Sequence, residues 1–389
     1  MVLGLEKALG PEWLSRTTGW INVPADCVCP TQAIHLHSAR APGQNEPTQA
    51  GVDGVDEMIR LVGSLRPQDL CIALISGGGS ALMPSPVEGI SLEDKLSVTR
   101  ILMRNGATIQ ELNCVRGCLS RFKSGGLFRH CTAGRLEGLI ISDVIGDPLN
   151  VIASGPTVDI PPDPQRAILL LQHFQSKSGE RIPKSIFEAI EKLLGQSTPV
   201  SRADCQTTNT VIGNNQTAVK AASSQAKKLG YDVVFIESDQ SGIASEEGRR
   251  LAKFMLRMTE EDHRTKQPCC LISGGEPTVE LTKTDGPQKG GRNQEVVLAA
   301  TTYLAAQSSL PEIAFLSGGT DGEDGPTDAA GAIVDQALIE EIRASQFVPE
   351  EYLAANNSYP FFEHFGALLK TGPTHTNVMD LRVGLFKAL

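Results

Sequence analysis

The chain has 389 residues, more than one hydrophobic core ordinarily organises, so two domains are expected. Hydrophobic residues make up 40% of the chain and charged residues 21%, which is typical of a globular protein in water. The formal net charge of −10 argues against nucleic acid or an anionic membrane as a partner, because both bind basic surfaces.

The first half of the chain predicts alternating helices and strands. In chain order these are the end of a helix over residues 1–10 closed by Gly10, a strand over 19–23, a loop over 41–49, a helix over 51–65, a strand over 70–75, helices over 92–105 and 108–119, a strand over 139–143 and a helical segment over 166–194. A polar stretch over residues 197–206 predicts the boundary between domain 1, residues 1–205, and domain 2, residues 206–389.

The same alternation continues in domain 2. The predicted elements are a strand over 211–212, a helix over 218–229, a strand over 233–236, a helix over 244–259, a strand over 269–272, a helix over 293–306 and a strand over 313–316. Strands that alternate with helices favour an α/β fold with largely parallel sheets in both domains.

The cysteine pattern and the absence of long apolar runs predict a cytoplasmic location. None of the nine cysteines has the spacing of a zinc site, and several lie inside predicted core strands, which is typical of reduced structural thiols. No apolar run reaches the length of a membrane span, and charged residues interrupt the first segment where a secretory signal would be apolar.

Three predicted strands run directly into a Ser-Gly-Gly turn, at residues 76–78, 273–275 and 317–319. Glycines after a strand let the backbone turn sharply and bring bare N–H groups close to a ligand, and such groups bind anions. The repeat predicts an enzyme that acts on a phosphorylated or acidic small molecule. A simple chain reversal is the alternative interpretation of each turn.

The first turn is followed in sequence by a cluster of cations. Arg116 and Lys123 lie seven residues apart, on one face if the segment is helical, and they predict an anion clamp. A solvated basic face is the alternative. The candidate binding residues of the turn itself are Ser76, Gly77, Gly78, Gly79 and Ser80.

Acidic residues follow two of the predicted core strands. Asp143 is the last residue of the predicted strand over 139–143, where it is suited to hold Mg²⁺ or accept a hydroxyl proton, although a turn-capping role is the alternative. The segment over 319–328 is also rich in acids, and it predicts Mg²⁺ coordination by Asp321 and Asp328.

Further candidate binding residues lie in the second half of the chain. Arg292 follows two glycines at a predicted helix N-terminus, which favours an anion site over an ordinary loop. The turn over 371–377 is rich in hydroxyl groups and suits a phosphate or hydroxyacid, with His375 as a candidate catalyst or structural residue. The remaining candidates are Asn214, Gly274, Gly275, Glu276, Thr374 and Asn377.

Together these segments resemble the class II glycerate kinases, the glycerate kinase and MOFRL families. The matching motifs follow one another in family order over nearly the whole chain: residues 76–82, 113–116, 119–123, 141–147, 153–157, 213–215, 273–278, 290–295, 317–322, 325–331 and 371–378. The order makes the resemblance far more specific than any single motif.

The resemblance implies ATP-dependent phosphorylation of D-glycerate, with Mg²⁺, in a cleft between a Rossmann-like first domain and a MOFRL-type second domain. Asp143 or Asp321 then holds Mg²⁺ or orients the acceptor hydroxyl. Arg292 and Lys123 stabilise phosphoryl oxygens or the glycerate carboxylate, and 2-phosphoglycerate is the favoured product. The partners are glycerate and ATP, and a homodimer is left open.

Three departures from the family pattern leave two other functions open. Family members usually carry a strand and a Gly-Lys-Ala segment ahead of the position of Met1, so a start assigned too late or a truncated variant is expected. The family's Lys-His is Gly117-Cys118 here, and its Lys-Gly-Gly-Arg is Lys123-Ser124-Gly125-Gly126. The alternatives are a hydroxypyruvate reductase and a catalytically inactive ATP-binding homologue.

Overall fold

The computed structural model describes residues 1–43, 46–195, 205–260, 267–283 and 286–387. The chain forms two compact units. Unit 1 comprises Met1–Ile140 and Pro148–Ile212, and unit 2 comprises Ile141–Asp147 and Gly213–Leu389. The mixed α/β class predicted from the sequence is confirmed. The predicted boundary segment, residues 197–206, lies outside the described residues except for its last two.

Unit 1 alternates helices with short strands. Its helices are α1 Val2–Leu14, α2 Gln49–Gly63, α3 Gly79–Leu82, α4 Leu92–Arg104, α5 Ile109–Cys118, α6 Gly126–His130, α7 Pro164–Ser178 and α8 Lys184–Leu194. Its strands are β1 Gly19–Pro24, β2 Ile34–Arg40, β3 Leu70–Ile75, β4 Arg135–Ile141 and β5 Gln206–Gly213, the last two ending at the first residues of unit 2. The strands β1 and β2 pair in parallel, and β3, β4 and β5 form a second sheet in that order.

The N-terminal helix of unit 1 is tied to β2 by one carboxylate. The side chain of Glu6 is 2% exposed and accepts the backbone N–H groups of Gln32, Ala33 and Ile34 at 2.9–3.2 Å. These hydrogen bonds lower the pKa of Glu6, because they stabilise its ionised form. The helix bends at Gly10, where φ is +70°, and a further turn follows rather than the predicted end.

The core of unit 1 lies among α4, α5, α7 and α8. Apolar side chains from all four helices form one buried cluster that includes Leu102, Val115, Leu171 and Ile186. The helical segment predicted over residues 166–194 is in fact α7 and α8, because Gly179 adopts a left-handed conformation with φ +69° and ends α7.

Unit 2 is built on one six-stranded sheet. Its helices are α9 Asn215–Lys228, α10 Ala244–Glu260, α11 Arg292–Ala305, α12 Gln336–Ala344, α13 Pro349–Ala354 and α14 Ser358–His364. Its strands are β6 Asp232–Gln240, β7 Cys269–Gly275, β8 Ile313–Gly319, β9 Gly331–Asp335, β10 Leu368–Leu369 and β11 Asp380–Phe386. The strand order is β10-β9-β8-β11-β7-β6.

The position of β11 in this sheet is not predicted from the sequence. The strand lies between β7 and β8 and runs antiparallel to both, whereas β6 and β7 are parallel. The sheet packs on α11, whose residues from Val296 to Ala300 are fully buried against α10 and the sheet. The N-terminus of α11 therefore has a fixed place beside the ends of β7 and β8.

Among the described residues, no helix is both long and apolar enough to cross a bilayer.

A glycine in unit 1 provides a test of this packing. Asn22 on β1 donates to the carbonyls of Gly51 and Leu82 at 3.0 and 2.8 Å, and a Cβ at Gly54 would lie 1.9 Å from its Oδ1. We expect Gly54→Ala to lower the free energy of unfolding by about 1–3 kcal/mol, because the added methyl displaces Asn22. Thermal unfolding followed by circular dichroism measures this as a lower Tm.

The matched control is Gly4→Ala in α1, where nothing lies within 4 Å of the added Cβ. Alanine is the better helix former, so this variant keeps or raises the Tm. A Gly54→Ala protein as stable as the Gly4→Ala protein would contradict the packing described for β1 and α2.

Candidate functional site

Strand β11 places one buried carboxylate between two of the Ser-Gly-Gly turns. Asp380 is its first residue, and it pairs with Gly275 at the end of β7 and with Gly319 at the end of β8. Its side chain has no exposed surface. Both turns are predicted from the sequence, but the strand that joins them is not. The two turns of unit 2 therefore share one anionic residue.

Arg292 binds this carboxylate with two hydrogen bonds. Its Nε and Nη2 donate to the two carboxylate oxygens of Asp380 at 2.8 and 3.0 Å, and its Nη1 lies 2.9 Å from Glu276 Oε1. Burial lowers the pKa of Arg292, but the hydrogen bonds and charges of Asp380 and Glu276 outweigh burial and raise it. Arg292 thus stays cationic, and its planar fork is held in one orientation.

A second arginine approaches Asp380 from within the sheet. Arg382 is fully buried, and its Nη1 donates to Ser273 Oγ at 3.2 Å and lies 3.6 Å from Glu247. Its Nη2 lies 3.9 Å from Asp380, beyond hydrogen-bond distance but close enough for charge attraction. Sequence reasoning misses Arg382, because a lone arginine in a short strand carries no motif.

Further carboxylates surround Arg292 at the ends of strands. Glu276 follows β7, Asp321 follows β8 and Asp143 follows β4. Burial raises the pKa of Glu276, and the attraction of Arg292 opposes that shift. The charges of Asp380, Asp143 and Asp321 raise it further, so each of these acids acts on Glu276. Of the predicted residues, Glu276 and Arg292 therefore form an ion pair in unit 2, and Asp143 and Asp321 influence that pair through their charges.

Hydrogen bonds from nearby backbone N–H groups hold Asp321 in place. Its Oδ1 accepts the N–H of Glu323 at 3.0 Å, and its carbonyl accepts the N–H of Thr374 at 3.0 Å. The Thr374 hydroxyl donates to the carbonyl of Thr320, while Asn377 Oδ1 accepts the N–H of Met379 at 2.9 Å. Thr374 and Asn377 thus order the turn beside Asp321, and a ligand-binding role for them stays a prediction.

The other acids of the 319–328 segment have different partners. Asp324 is 2% exposed and accepts the N–H groups of Asn293 and Gln294 at 2.9 and 2.8 Å, so it caps α11. Burial raises the pKa of Asp324 to about 6. Asp328 is exposed and accepts from the hydroxyl of Tyr359 at 2.7 Å and from Lys370 at 2.8 Å. The structure therefore keeps Asp321 beside Arg292 and gives Asp328 other partners.

The asparagines after β5 also support the site. Asn214 caps α9 through the N–H of Thr217 at 3.0 Å and donates to Asp147 at 2.6 Å. The next residue, Asn215, is buried and donates to the carbonyls of Val378 and Asp380 at 2.9 and 3.0 Å. Asn215 holds the start of β11, a role that the Gly-Asn-Asn motif alone does not reveal.

Two glycines of the second turn are required by close neighbours. A Cβ at Gly274 would lie 2.1 Å from Asn215 Oδ1, and one at Gly275 would lie 2.0 Å from the carbonyl of Gln240. Gly275 also has φ +136°, which only glycine adopts readily. These glycines therefore have a packing role, and whether they also contact a ligand is a separate prediction.

The first glycine turn lies in unit 1, where the predicted cations converge on it. Lys123 is 2% exposed, and its Nζ donates to the carbonyl and the hydroxyl of Ser80 at 2.6 and 2.7 Å. Arg116 Nη2 donates to the same hydroxyl at 2.6 Å, and Ser154 Oγ lies 3.3 Å from it. Gly78, with φ +71°, turns the chain into α3. Residues 76–80, Arg116 and Lys123 thus form one group.

The departures from the family pattern in this group are structurally linked. A Cβ at Gly117 would lie 2.5 Å from Ser124 Oγ, so the lysine of the family pattern would require this serine side chain to shift. A Cβ at Gly126 would lie 2.3 Å from the carbonyl of Arg121 and 3.9 Å from the guanidinium of Arg129. Arg129 therefore brings a cation next to the position where the family pattern has an arginine.

The sequence of this chain matches two family models and several known proteins. Residues 1–191 match the model of a family described as a domain of unknown function, DUF4147, and residues 269–380 match the model of the MOFRL family. A glycerate kinase of Rattus norvegicus is 36% identical over 90% of this chain and 74% of its own length. A D-glycerate 2-kinase of Thermotoga maritima is 36% identical over 92% of this chain and 81% of its own length.

Solved structures agree with these relatives. The crystal structure of a glycerate kinase from Thermotoga maritima matches with a TM-score of 0.81 and 35% identity, over 95% of this chain and 85% of that one. A Pyrococcus horikoshii protein matches with a TM-score of 0.76 and 33% identity, over 93% of this chain and 81% of its own.

The buried ion pair in unit 2 can be tested by removing the charge of Asp380. We expect Asp380→Asn to lower the free energy of unfolding by about 3–5 kcal/mol, because it leaves the partly buried Arg292 and the buried Arg382 without their shared counter-charge. Thermal unfolding measures the effect as a markedly lower Tm.

The matched control is Asp328→Asn, which removes an exposed carboxylate with hydrogen-bond partners of its own. We expect little change in its Tm, because exposed ion pairs stabilise weakly. Equal Tm values for the two variants would show that Asp380 is not the counter-charge on which the site depends.

Proposed function

The chain belongs to the glycerate kinase family, and on that premise we propose that it transfers the γ-phosphoryl group of ATP to a hydroxyl group of D-glycerate. The chain is a phosphotransferase with an alcohol group as acceptor, as its relatives are. The product is 2-phosphoglycerate, a choice supported by the relative named D-glycerate 2-kinase. The observation that carries the proposal is the Arg292–Asp380 pair among strand-end carboxylates.

Arg292 neutralises the charge of the transferred phosphoryl group. Phosphoryl transfer requires positioning and charge stabilisation more than covalent work by the protein. Asp380 and Glu276 engage three N–H groups of the guanidinium, which retains further donors for phosphoryl oxygens. Its side chain is 29% exposed, so part of it is open to a ligand. The bidentate pair orients the fork before substrate binds.

Asp143 and Asp321 are the residues that would hold Mg²⁺. Carboxylate oxygens are the ligands Mg²⁺ prefers. Burial raises the pKa values of Glu276 and Asp321, and neighbouring carboxylates add to this shift although Arg292 opposes it. A bound Mg²⁺ would supply charge neutralisation for the phosphates of ATP. A carboxylate of this cluster that does not contact the metal orients the acceptor hydroxyl and accepts its proton.

The role of Arg292 predicts a loss of turnover in a conservative variant. We expect Arg292→Lys to lower kcat by about 100-fold or more, because lysine keeps the charge but loses the planar fork. ADP release coupled to NADH oxidation, with D-glycerate as substrate, measures the rate.

The control is Arg343→Lys, which changes an arginine of α12 that donates to the carbonyls of Leu304 and Ala305 at the C-terminal end of α11. This variant is expected to keep kcat even if its Tm falls. An unchanged kcat for Arg292→Lys would remove Arg292 from the mechanism. A folded wild-type protein without turnover would refute the proposed activity.

The proposed metal role predicts a changed requirement for Mg²⁺. We expect Asp321→Asn to raise the Mg²⁺ concentration for half-maximal activity by about tenfold, because it removes a charged oxygen ligand. Titration of Mg²⁺ after EDTA treatment, at saturating ATP and D-glycerate, measures the requirement.

Glu323→Gln is the matched control, since this exposed side chain lies in the same loop. Its Mg²⁺ requirement should equal that of the wild type. If Asp321→Asn also showed a wild-type requirement, Asp321 would not be a metal ligand.

A further inference from the structure

Unit 1 contains a buried lysine that no motif predicts. Lys95 lies in the second turn of α4, on the face that also buries Val98 and Leu102. Its side chain is buried, and its Nζ has no hydrogen-bond partner among the described residues. An ammonium group removed from water without a partner destabilises the fold, so its presence needs an explanation.

The charges around Lys95 are positive. Burial lowers its pKa to about 7, and the nearby charges of Arg116 and Arg121 add to this shift. Lys95 and Arg116 in turn lower the pKa of Lys123, which burial lowers most. Arg121 has a carboxylate partner in Asp56. Lys95 lies on α4, Arg116 on α5, which packs against α4, and Lys123 follows α5. Both lysines are buried, and none of the three cations has a carboxylate partner within 4 Å among the described residues.

The hydrogen-bond partners in this cluster are neutral. Lys123 and Arg116 both donate to the hydroxyl of Ser80, and Lys123 also donates to the Ser80 carbonyl. A hydroxyl that already accepts two charged donors can still donate its own hydrogen. The cluster therefore offers N–H and O–H donors around a buried position where charge is uncompensated.

We propose that Lys95, Arg116 and Lys123, with the Ser80 hydroxyl, form a binding site for an oxyanion. The anion is either the carboxylate of glycerate or a phosphate group of ATP, and it supplies the missing counter-charge. The proposal rests on the proposed function for the identity of these ligands. Lys95 is the residue that it adds to the predicted clamp of Arg116 and Lys123.

According to the proposal, Lys95 lowers the stability of the ligand-free protein and is needed to bind the anion. Lys95→Met keeps the apolar stem and removes the charge. We expect this variant to have a higher Tm than the wild type without ligand, because the unpaired ammonium is gone. We expect its affinity for the anion to fall about tenfold or more, because a charged hydrogen bond is lost.

The measurement is the rise in Tm of the whole protein with D-glycerate, ATP or inorganic phosphate, at constant ionic strength. A saturable rise with D-glycerate alone assigns the carboxylate, and one with ATP and phosphate assigns a phosphate group. In either case the rise must weaken in Lys95→Met and persist in Arg104→Met, which removes an exposed cation from the same helix.

Three results would overturn the proposal. One is a wild-type protein that none of the three anions stabilises. Another is a Lys95→Met protein that binds the anion as well as the wild type does. The third is a Lys95→Met protein with a lower Tm and unchanged affinity, which would make Lys95 a structural residue.

Failure of the proposed function gives a different result. A protein that does not turn over D-glycerate but shows a phosphate-induced rise in Tm that depends on Lys95 would retain the anion site and lose the kinase assignment. A protein that turns over D-glycerate with the same KM for both substrates in Lys95→Met would retain the kinase assignment and lose the anion site.

Discussion

The burial of Asp380 is the constraint on which the arrangement of unit 2 depends. A carboxylate with no exposed surface must be paired, and the pairing is supplied by Arg292 from a helix and by Arg382 from the same strand. Since Arg292 is the first residue of α11, the ion pair fixes where that helix begins. The ends of β7 and β8 lie on either side of Asp380, so the acids that follow them gather around Arg292.

The two units carry unbalanced charge of opposite sign at their candidate sites. In unit 2, Glu276 and Asp321 have raised pKa values because burial and neighbouring acids disfavour their ionised forms. In unit 1, Lys123 and Lys95 have lowered pKa values for the corresponding reason. Under the proposals made above, a divalent cation would relieve the imbalance in unit 2 and an oxyanion would relieve the imbalance in unit 1.

Features that a short stretch of sequence determines were predictable, and features that depend on contacts between distant residues were not. Strands β3, β7 and β8 are continuous apolar runs before glycines, so the sequence predicts them and their turns correctly. Strand β11 carries Asp380 and Arg382, and its central place depends on ion pairs made with distant parts of unit 2. Lys95 looks like a solvated residue near a helix N-terminus, because sequence does not show which face of α4 is buried against α5 and α7. The positions of Arg292, Asp143 and Asp321 were predictable because each lies just after a strand or at the start of a helix, and their roles stay predictions.

The central position of β11 has a consequence for biosynthesis. Residues 380–386 separate β7 from β8, so these two strands have no backbone partner in common until those residues have left the ribosome. Unit 1 draws almost all of its strands from earlier sequence and is available to fold first during translation. Until then β7 is paired only with β6 and β8 only with β9, so one edge of each apolar strand stays open in the emerging chain.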